Sequence, residues 1–396
     1  RDTSPIWMDS STRPECDEIC ENLGGLQATA ETTGSTTFER FTGPQIRKFY
    51  KEDPEAYAQT SHIMLVSSFM ASILSGTIAP IDHGDGAGMN LMDIQTRQWH
   101  PKALDATAPD LADRLPPLAE SWKTIGPIST YFVKKYGFDP NTQTLTWSGD
   151  NPNSVVGLGL IKEGMVAISL GTSDTYFGTM QKCQTDPRGE GHVFVSPTGD
   201  YMSLICFKNG SLAGEAIAEQ FSLNWDGFSK ALQATPPGNN GKILLPYFEP
   251  EIVPNVLTPG IHRFDLDEND AEGHCRAVVE AQMMSMRIHS EWMGVRPSAI
   301  YVTGGASVNT DILQIMADVQ NCSVYQFEVT NSAALGAALR AAHGYLSESD
   351  TSTQWQDIIT GFADPISGSE ITPKNPGVYD GLVKKYAECE QRALGK

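Results

Sequence analysis

Apolar and polar positions along the chain predict strands that alternate with helices. The stretch "MVAISL" at 165–170 has the alternation and length of a strand, and the glycine-containing phrase "GTSDT" follows it. A second predicted strand, "AIYVT" at 299–303, leads into "GGASVN" and then into a helical pattern. Because this succession of strand, glycine turn and helix recurs, we predict an α/β fold.

Several predicted helices end at glycine. We expect a helix over about 12–23 that ends at two glycines, and another that ends at Gly76. A long helix is expected over 275–294. The stretch "NSAALGAALRAAHGY" at 331–345 predicts a helix whose small side chains permit close approach to a neighbouring element.

Three other stretches predict shorter or irregular structure. Residues 5–9, "PIWMD", read as a short strand, and residues 225–260 carry the Pro, Gly and Asn signals of a loop region. Residues 83–93, "HGDGAGMNLMD", resemble a calcium loop only superficially, because their acidic residues do not have the EF-hand spacing. We therefore predict a Gly-rich turn between strands there.

Length, charge and cysteine content narrow the functional class. A chain of 396 residues favours two domains, and we place the boundary near 151–163. The 28 basic and 48 acidic residues give a net charge of −20, which argues against a nucleic-acid or anionic-membrane partner. The seven cysteines lack zinc-ligand spacing, and no apolar run reaches the roughly 18 residues of a membrane-spanning helix. We expect a cytoplasmic protein, as a monomer or a homodimer.

Two glycine turns are candidate ligand sites. The phrase "SLGTSDT" at 169–175 is either a plain turn or a turn that offers N–H groups and hydroxyls to a phosphate. The Gly304-Gly305 turn before a helix has the same two interpretations. It matches neither the dinucleotide pattern nor the P-loop, so a nucleotide bound there would occupy neither a Rossmann nor a Walker site.

Asp150 is the candidate catalytic residue. It follows a predicted strand and precedes a helix in "WSGDNPNS", so it either caps that helix or serves as a general base in phosphoryl transfer. Asn151 beside it offers donors and an acceptor to a polyol. Arg40, in "ERFTGPQIRK", is either a surface salt-bridge partner or a substrate clamp.

These motifs together resemble the FGGY family of carbohydrate kinases, most closely its eukaryotic, fungal-like D-xylulose kinases. The matching segments are "PIWMDSST", "ERFTGPQIRK", "IDHGDGAGMNLMDI", "SGDNPNSVVGLGL", "SLGTSDTYFG", "TGGASVNTDILQIMADV" and "NSAALGAALRAAHG". They occur in the family's order from residue 5 to about 344. The resemblance implies a two-domain actin/Hsp70-like, ribonuclease-H-type fold with ATP in an interdomain cleft. It also implies a sugar-binding N-terminal domain, truncated at its start, over 1–151 and a nucleotide-binding C-terminal domain over 152–396.

The resemblance also implies roles for individual residues. Asp150 matches the catalytic base that takes the proton from the C5 hydroxyl of D-xylulose, and Arg40 and Asn151 match sugar-contacting positions. The positions that match ATP contacts are Gly171, Thr172, Ser173, Trp225, Gly304, Gly305 and Asn309. The implied reaction uses ATP and Mg²⁺ and gives D-xylulose 5-phosphate. The sequence itself indicates no metal ligand.

The family's first phosphate hairpin, an acidic residue followed by Gly-Thr, and a sugar-binding segment with a histidine are not found in this sequence. We therefore expect that an N-terminal segment precedes it. Three alternative functions stay open: another FGGY kinase for ribulose or glycerol, an actin- or Hsp70-like ATPase module without sugar kinase activity, and a non-catalytic sugar-binding relic.

Overall fold

The computed structural model describes residues 3–328, 331–349 and 351–395 as a mixed helix-and-sheet protein. Its α-helices are α1 Arg13–Leu23, α2 Leu26–Thr33, α3 Thr42–Glu52, α4 Pro54–Gln59, α5 Val66–Ser75, α6 His83–Ala87, α7 Pro101–Thr107, α8 Thr130–Tyr136, α9 Asp150–Gly157, α10 Ser211–Gln220, α11 Trp225–Ala234, α12 Ala271–His289, α13 Thr310–Gln320, α14 Ser332–Ser349, α15 Trp355–Ile359 and α16 Pro376–Leu394. Its strands are β1 Ile81–Asp82, β2 Met92–Asp93, β3 Gln98–Trp99, β4 Leu118–Ala119, β5 Thr124–Pro127, β6 Gln143–Leu145, β7 Met165–Leu170, β8 Asp174–Met180, β9 His192–Val195, β10 Tyr201–Phe207, β11 Ile243–Tyr247, β12 Gly260–Phe264, β13 Ala299–Thr303 and β14 Val324–Gln326.

Contacts between Cα atoms divide the chain into two units. The first comprises Arg1–Ile161, Met180–Ser203 and Thr330–Ala363, and the second comprises Lys162–Thr179, Leu204–Val329 and Asp364–Lys396. The division of the sequence after residue 151 stays a prediction. Each unit has its own apolar core.

The core of the first unit is formed by apolar side chains of several helices and β1. Ile46 of α3, Tyr57 of α4, Ile81 of β1 and Leu104 of α7 are all buried in one cluster. Burial of a large apolar side chain contributes about 1.5–3 kcal/mol, so this cluster anchors β1 firmly. Since Ile81 pairs with Leu118 of β4 in parallel, the cluster also fixes where β1 ends, at Asp82.

Helices α9 and α14 of the first unit approach each other very closely. A Cβ atom added to Gly336 would lie 1.7 Å from the Asn153 carbonyl oxygen, and one added to Gly157 would lie 2.0 Å from the Ser332 oxygen. Only glycine permits this approach of two backbones. The prediction of a helix with small side chains at 331–345 is confirmed by α14.

The second unit is organised around the strands β14, β13, β7, β8 and β10, which are hydrogen-bonded to one another in that order. β13 pairs in parallel with both β14 and β7, whereas β7 and β8 form an antiparallel hairpin. Helix α12 packs against α10, α11, α13 and α16 and is buried along most of its length, including Met283, Met284 and Met286. These elements confirm the strands predicted from "MVAISLGTSDTYFGTM" and "AIYVT", and the long helix.

Three local predictions differ from the structure. Residues 5–9 form no strand, since Ile6 and Trp7 are 64% and 72% exposed and no described strand pairs with them. Part of the predicted loop at 225–260 is regular, because Asn224 caps α11 by accepting the Gly227 N–H, and β11 pairs with β12. The Gly-rich stretch from 83 contains the short helix α6, which Asp82 caps. None of the described helices has both the length and the apolar composition needed to span a bilayer.

Candidate active site

Asp150 lies at the beginning of α9, directly after a tight turn. Gly149 is the N-cap residue and its backbone is extended, so Asp150 is the first helical residue. Its Oδ1 accepts the Asn151 N–H at 2.8 Å, and the side chain is exposed. Asp150 is thus not the N-cap residue, although its carboxylate accepts one N–H group of the first turn of α9. Because the side chain is exposed, its other oxygen can meet a ligand from solvent.

The turn before Asp150 is fastened to a cluster of polar groups in the first unit. The Asn153 amide donates to the carbonyl oxygens of Ser148 (3.1 Å) and Gly149 (2.8 Å). Arg340 of α14, which is buried, donates from Nε to Asn153 Oδ1 at 3.0 Å and also to the Ser121 and Thr146 carbonyl oxygens. These bonds hold the start of α9 in one place.

Two further carboxyls, Asp82 and Asp85, lie in the same cluster. Asp82 is fully buried and accepts four hydrogen bonds, from the Ser121 hydroxyl (2.6 Å), the Ser148 hydroxyl (2.9 Å) and the N–H groups of Gly84 and Asp85. Four donors compensate for the loss of water around a buried carboxylate. Asp82 thus ties β1, the start of α6 and the turn before Asp150 together.

Asp85 has fewer donors than Asp82. It accepts hydrogen bonds from the Ser67 hydroxyl and the Gly149 N–H. Burial is the main cause that raises the pKa of Asp85 to about 7. The negative charge of Asp82 raises this pKa further, and the charge of Asp150 raises it by less. The two hydrogen bonds lower it. Asp85 is therefore a carboxyl that titrates near neutral pH.

The proposed sugar-contacting residues Arg40 and Asn151 lie in the first unit with Asp150. Asn151 follows Asp150 in α9 and is partly exposed. The Nε atom of Arg40 donates to Ser10 Oγ at 3.3 Å, and its guanidinium carbon lies 5.4 Å from the Trp7 ring centre and 5.9 Å from that of Phe38. The described partners of Arg40 are thus a hydroxyl and two aromatic rings rather than a carboxylate, which leaves most of its N–H donors available.

In the second unit, Gly171, Thr172 and Ser173 form the loop between β7 and β8. The pairing of Leu170 with Asp174 closes a three-residue turn. The beginning of α10 packs on this turn, because the Ser211 N–H donates to the Gly171 oxygen at 2.8 Å. The Ser173 hydroxyl donates to the Lys208 oxygen at 3.2 Å. The carbonyl groups of the turn are thus occupied on one side, where α10 begins.

Asp174 lies directly behind this turn. It is 2% exposed, and burial is the main cause that raises its pKa to about 8; the Gly171 N–H lowers the pKa, and the Glu251 charge raises it. Glu251 in turn accepts the N–H groups of Lys208 and Asn209. These two carboxyls support the turn from inside the unit.

The Gly304-Gly305 turn lies at the same edge of the sheet. β13 runs parallel to β7 with Thr303 opposite Ser169, so both turns follow the carboxyl ends of neighbouring strands. Gly304 has φ +90°, and a Cβ atom there would lie 2.4 Å from the Leu170 oxygen. Glycine at 304 is therefore required by the conformation and by the approach of β7.

Asn309 and Trp225 are connected through α11. Asn309 caps α13 by accepting the N–H groups of Asp311 and Ile312, and its amide nitrogen donates to Ser229 Oγ at 2.8 Å. Trp225 lies one turn before Ser229 on the same face of α11 and is 50% exposed. Asn309 thus links the beginning of α13 to α11, the helix that carries Trp225.

Sequence reasoning missed Asp82, Asp85, Arg340, Asp174 and Glu251. Asp82 and Asp85 belong to a stretch that the sequence suggested as a turn, and their alternation with glycine was a usable signal. Glu251 carries no local motif, and the segment "NSAALGAALRAAHG" that contains Arg340 does not indicate the partners of its guanidinium, because they are far away in sequence. Among the residues that the structure describes, no group of three or more His, Cys, Asp or Glu side chains is arranged to hold a metal ion.

Comparison with known proteins shows similarity along nearly the whole chain. Residues 4–157 match the N-terminal domain, and residues 166–345 the C-terminal domain, of the FGGY family of carbohydrate kinases. The xylulose kinase of Rattus norvegicus is 44% identical over 403 residues, which cover 99% of this chain and 74% of that protein.

Solved structures share the fold at low sequence identity. The gluconate kinase of Lactobacillus acidophilus has a TM-score of 0.84 at 21% identity, over 98% of this chain and 79% of that one. The xylulose kinase of Bifidobacterium adolescentis has a TM-score of 0.81 at 22% identity, over 97% and 82% of the two chains. The predicted two-domain α/β kinase fold is confirmed.

Proposed function

Because the chain belongs to the FGGY family of carbohydrate kinases, we propose that it transfers the γ-phosphoryl group of ATP to D-xylulose and forms D-xylulose 5-phosphate. The choice of sugar is supported by curated relatives, among them the rat xylulose kinase. The fold alone does not choose it, since a gluconate kinase has nearly the same fold. Ribulose and glycerol remain the alternative acceptors to be tested.

The observation that carries the mechanism is the exposed Asp150 carboxylate on a turn that is fixed by buried hydrogen bonds. We assign Asp150 as the general base. It accepts the proton of the C5 hydroxyl as that oxygen bonds to the γ-phosphorus, while the bond from phosphorus to the β–γ bridging oxygen breaks and ADP leaves. The proton ends on the Asp150 carboxyl, and the bond electrons end on ADP.

The sugar is held by neighbouring groups of the first unit. Asn151 supplies an amide that donates and accepts, and Arg40 supplies a fork of donors to hydroxyl oxygens. Because Trp7 and Phe38 lie against the Arg40 guanidinium, its direction is restricted before the sugar binds. Orientation of a bound hydroxyl toward its base is a large part of the rate enhancement in phosphoryl transfer.

ATP is assigned to the second unit. The turn of Gly171, Thr172 and Ser173 offers N–H groups and hydroxyls to phosphate oxygens, and Gly304 and Gly305 let backbone approach the nucleotide. Trp225 supplies an apolar face for the adenine. Asn309 contributes by fixing the start of α13 against α11, since both ends of its amide are already bonded.

Mg²⁺ is expected for a kinase of this family. The described residues offer no assembled carboxylate cage for it. Location in the cytoplasm and assembly as monomer or homodimer stay predictions; subcellular fractionation and light scattering would test them.

The first experiment measures ADP release with D-xylulose, D-ribulose and glycerol, for the wild type and for Asp150→Asn. We expect D-xylulose-dependent release, and a loss of kcat of about 10²–10⁴-fold in the variant with sugar binding kept within several-fold. Asp105→Asn, an exposed change in α7 of the same unit, serves as the control. Turnover of Asp150→Asn near the wild-type rate would contradict the mechanism, and ADP release that ignores all sugars would favour the ATPase alternative.

A further inference from the structure

Asp85 bonds to the residue that precedes the proposed base. Its carboxyl accepts the Gly149 N–H, and a Cβ atom at position 149 would lie 2.3 Å from Asp85 Oδ1. Because Gly149 is the N-cap of α9, the place of Gly149 decides where the helix begins and hence where the Asp150 side chain starts. The Asp85 carboxyl is thus one peptide unit away from Asp150.

Asp85 is itself held from two other directions. The Ser67 hydroxyl donates to its Oδ2 from α5, and its own N–H is bound by Asp82, which caps α6. Asp82 also binds the Ser148 hydroxyl on the residue before Gly149. The beginning of α6 therefore holds two consecutive residues of the turn. Asp82 binds the Ser148 side chain, and Asp85 binds the Gly149 backbone.

The charged groups that face Asp85 are mostly acidic. Asp82 and Asp150 act on it as like charges, and the Arg340 guanidinium of α14 acts as the opposite one. Arg340 does not pair with it directly, since its described hydrogen bonds go to Asn153, Ser121 and Thr146. Burial lowers the pKa of His83, the neighbouring residue in α6, below its ordinary value of 6.5. The His83 ring is therefore uncharged at the pH where Asp85 titrates.

We propose that Asp85 is a positioning residue for Asp150, which fixes the orientation of the base through the backbone of Gly149. This rests on the proposed role of Asp150. The ionised Asp85 carboxylate makes a stronger, charge-assisted bond to Gly149 than the neutral acid does.

The consequence is a dependence of turnover on pH. Asp85 carries its charge above a pKa of about 7 and loses it below. Turnover should therefore rise as the pH increases through about 7, because the charge-assisted bond to Gly149 is gained. KM for the sugar should change little, since Asp85 is not assigned a contact with the sugar.

The test compares kcat and KM between pH 5.5 and 9 for the wild type, Asp85→Asn and Ser67→Ala. Asp85→Asn keeps the side-chain shape but removes the charge, so we expect kcat at pH 8 to fall roughly tenfold and the rise through pH 7 to disappear. Ser67→Ala removes a hydrogen bond that favours the ionised form, so the midpoint of the rise should move to higher pH. Asp105→Asn is the control, and its profile should match the wild type.

Each outcome supports or overturns the proposal. A uniform loss of kcat in Asp85→Asn with an unchanged midpoint would mean that Asp85 only supports the fold, and would overturn it. If Asp85→Asn fails to fold, an unmoved midpoint in Ser67→Ala overturns it instead. Asp150→Asn is measured in parallel: if that variant keeps its turnover, the mechanism itself fails, whereas its inactivity together with an unchanged Asp85→Asn profile refutes only the role of Asp85.

Discussion

The acidic cluster of Asp82, Asp85 and Asp150 in the first unit and the turn of Gly171, Thr172 and Ser173 in the second are built from different chemical groups. The cluster consists of side chains of the same charge, held apart by hydroxyl and N–H donors. The turn is mainly backbone, and its neighbours are the beginning of α10 and Gly304. The proposed reaction explains the difference.

A sugar hydroxyl must lose a proton, which requires a carboxylate, whereas phosphate oxygens are already anionic and require donors. Behind each region lies a buried carboxyl with a raised pKa, Asp85 in the first unit and Asp174 in the second. The first region should therefore respond mainly to changes of charge and position at Asp150, and the second mainly to changes of backbone shape.

The largest effect outside Asp150 itself is expected from Gly149→Ala. The added Cβ atom would meet Asp85 Oδ1 at 2.3 Å, so the turn must shift and carry Asp150 with it. A displacement of about 1 Å can reduce the rate roughly 10²-fold, and we expect such a loss in kcat with KM for ATP unchanged. Gly381→Ala, in a part of α16 with open space, is the control. Wild-type kcat in Gly149→Ala would mean that the turn does not determine the position of the base.

Gly304→Ala tests the backbone character of the second region. A left-handed φ of +90° and a Cβ atom 2.4 Å from the Leu170 oxygen should cost on the order of 2 kcal/mol of folding free energy, measured by urea denaturation. KM for ATP should rise as well. Gly305→Ala has no atom within 4 Å of its Cβ atom, so its stability loss should be much smaller. Equal losses in the two variants would show that the approach of β7 is not what demands glycine.

Trp225→Ala should have a smaller effect, confined to the nucleotide. Stacking of an aromatic side chain on a base contributes about 1 kcal/mol or more, so KM for ATP should rise roughly fivefold while KM for D-xylulose stays constant. Trp225→Phe should restore most of the affinity. Equal changes in both KM values would instead indicate that Trp225 supports α11 through its contact with Phe228.

Asp174 should make folding stability, rather than turnover, depend on pH. Its pKa is about 8 in the folded protein and 3.8 ordinarily, so the folded state holds a proton that the unfolded chain releases. The stability contribution is complete below about pH 4 and is lost as the pH rises to about 8, by up to roughly 1 kcal/mol per pH unit. Asp174→Asn should flatten this slope in urea titrations between pH 5 and 8.5.

Asp85 adds a similar slope up to about pH 7, so Asp85→Asn is measured beside it. An unchanged slope in Asp174→Asn would contradict the burial argument.

The sequence by itself determined the fold class, the family and the two glycine turns. Glycine turns are local, because a strand, a tight turn and a helix follow one another in the chain and need no distant partner to be recognised. The resemblance to the FGGY kinases added the role of Asp150, which the residues alone left open between a cap and a base. The strand predicted at 5–9 failed because alternation of side chains cannot show whether a neighbouring strand is present.

Only the tertiary structure decided which groups hold the turn before Asp150. Ser67, Asp82, Ser121 and Arg340 come from four separate segments, and nothing in the chain order brings them together. Their meeting depends on the buried pairing of β1 with β4 and on the close approach of α9 and α14 at Gly336. The pKa of a carboxyl depends on the water and charges around it rather than on its sequence neighbours, which is why Asp85 could be identified only from the packed structure.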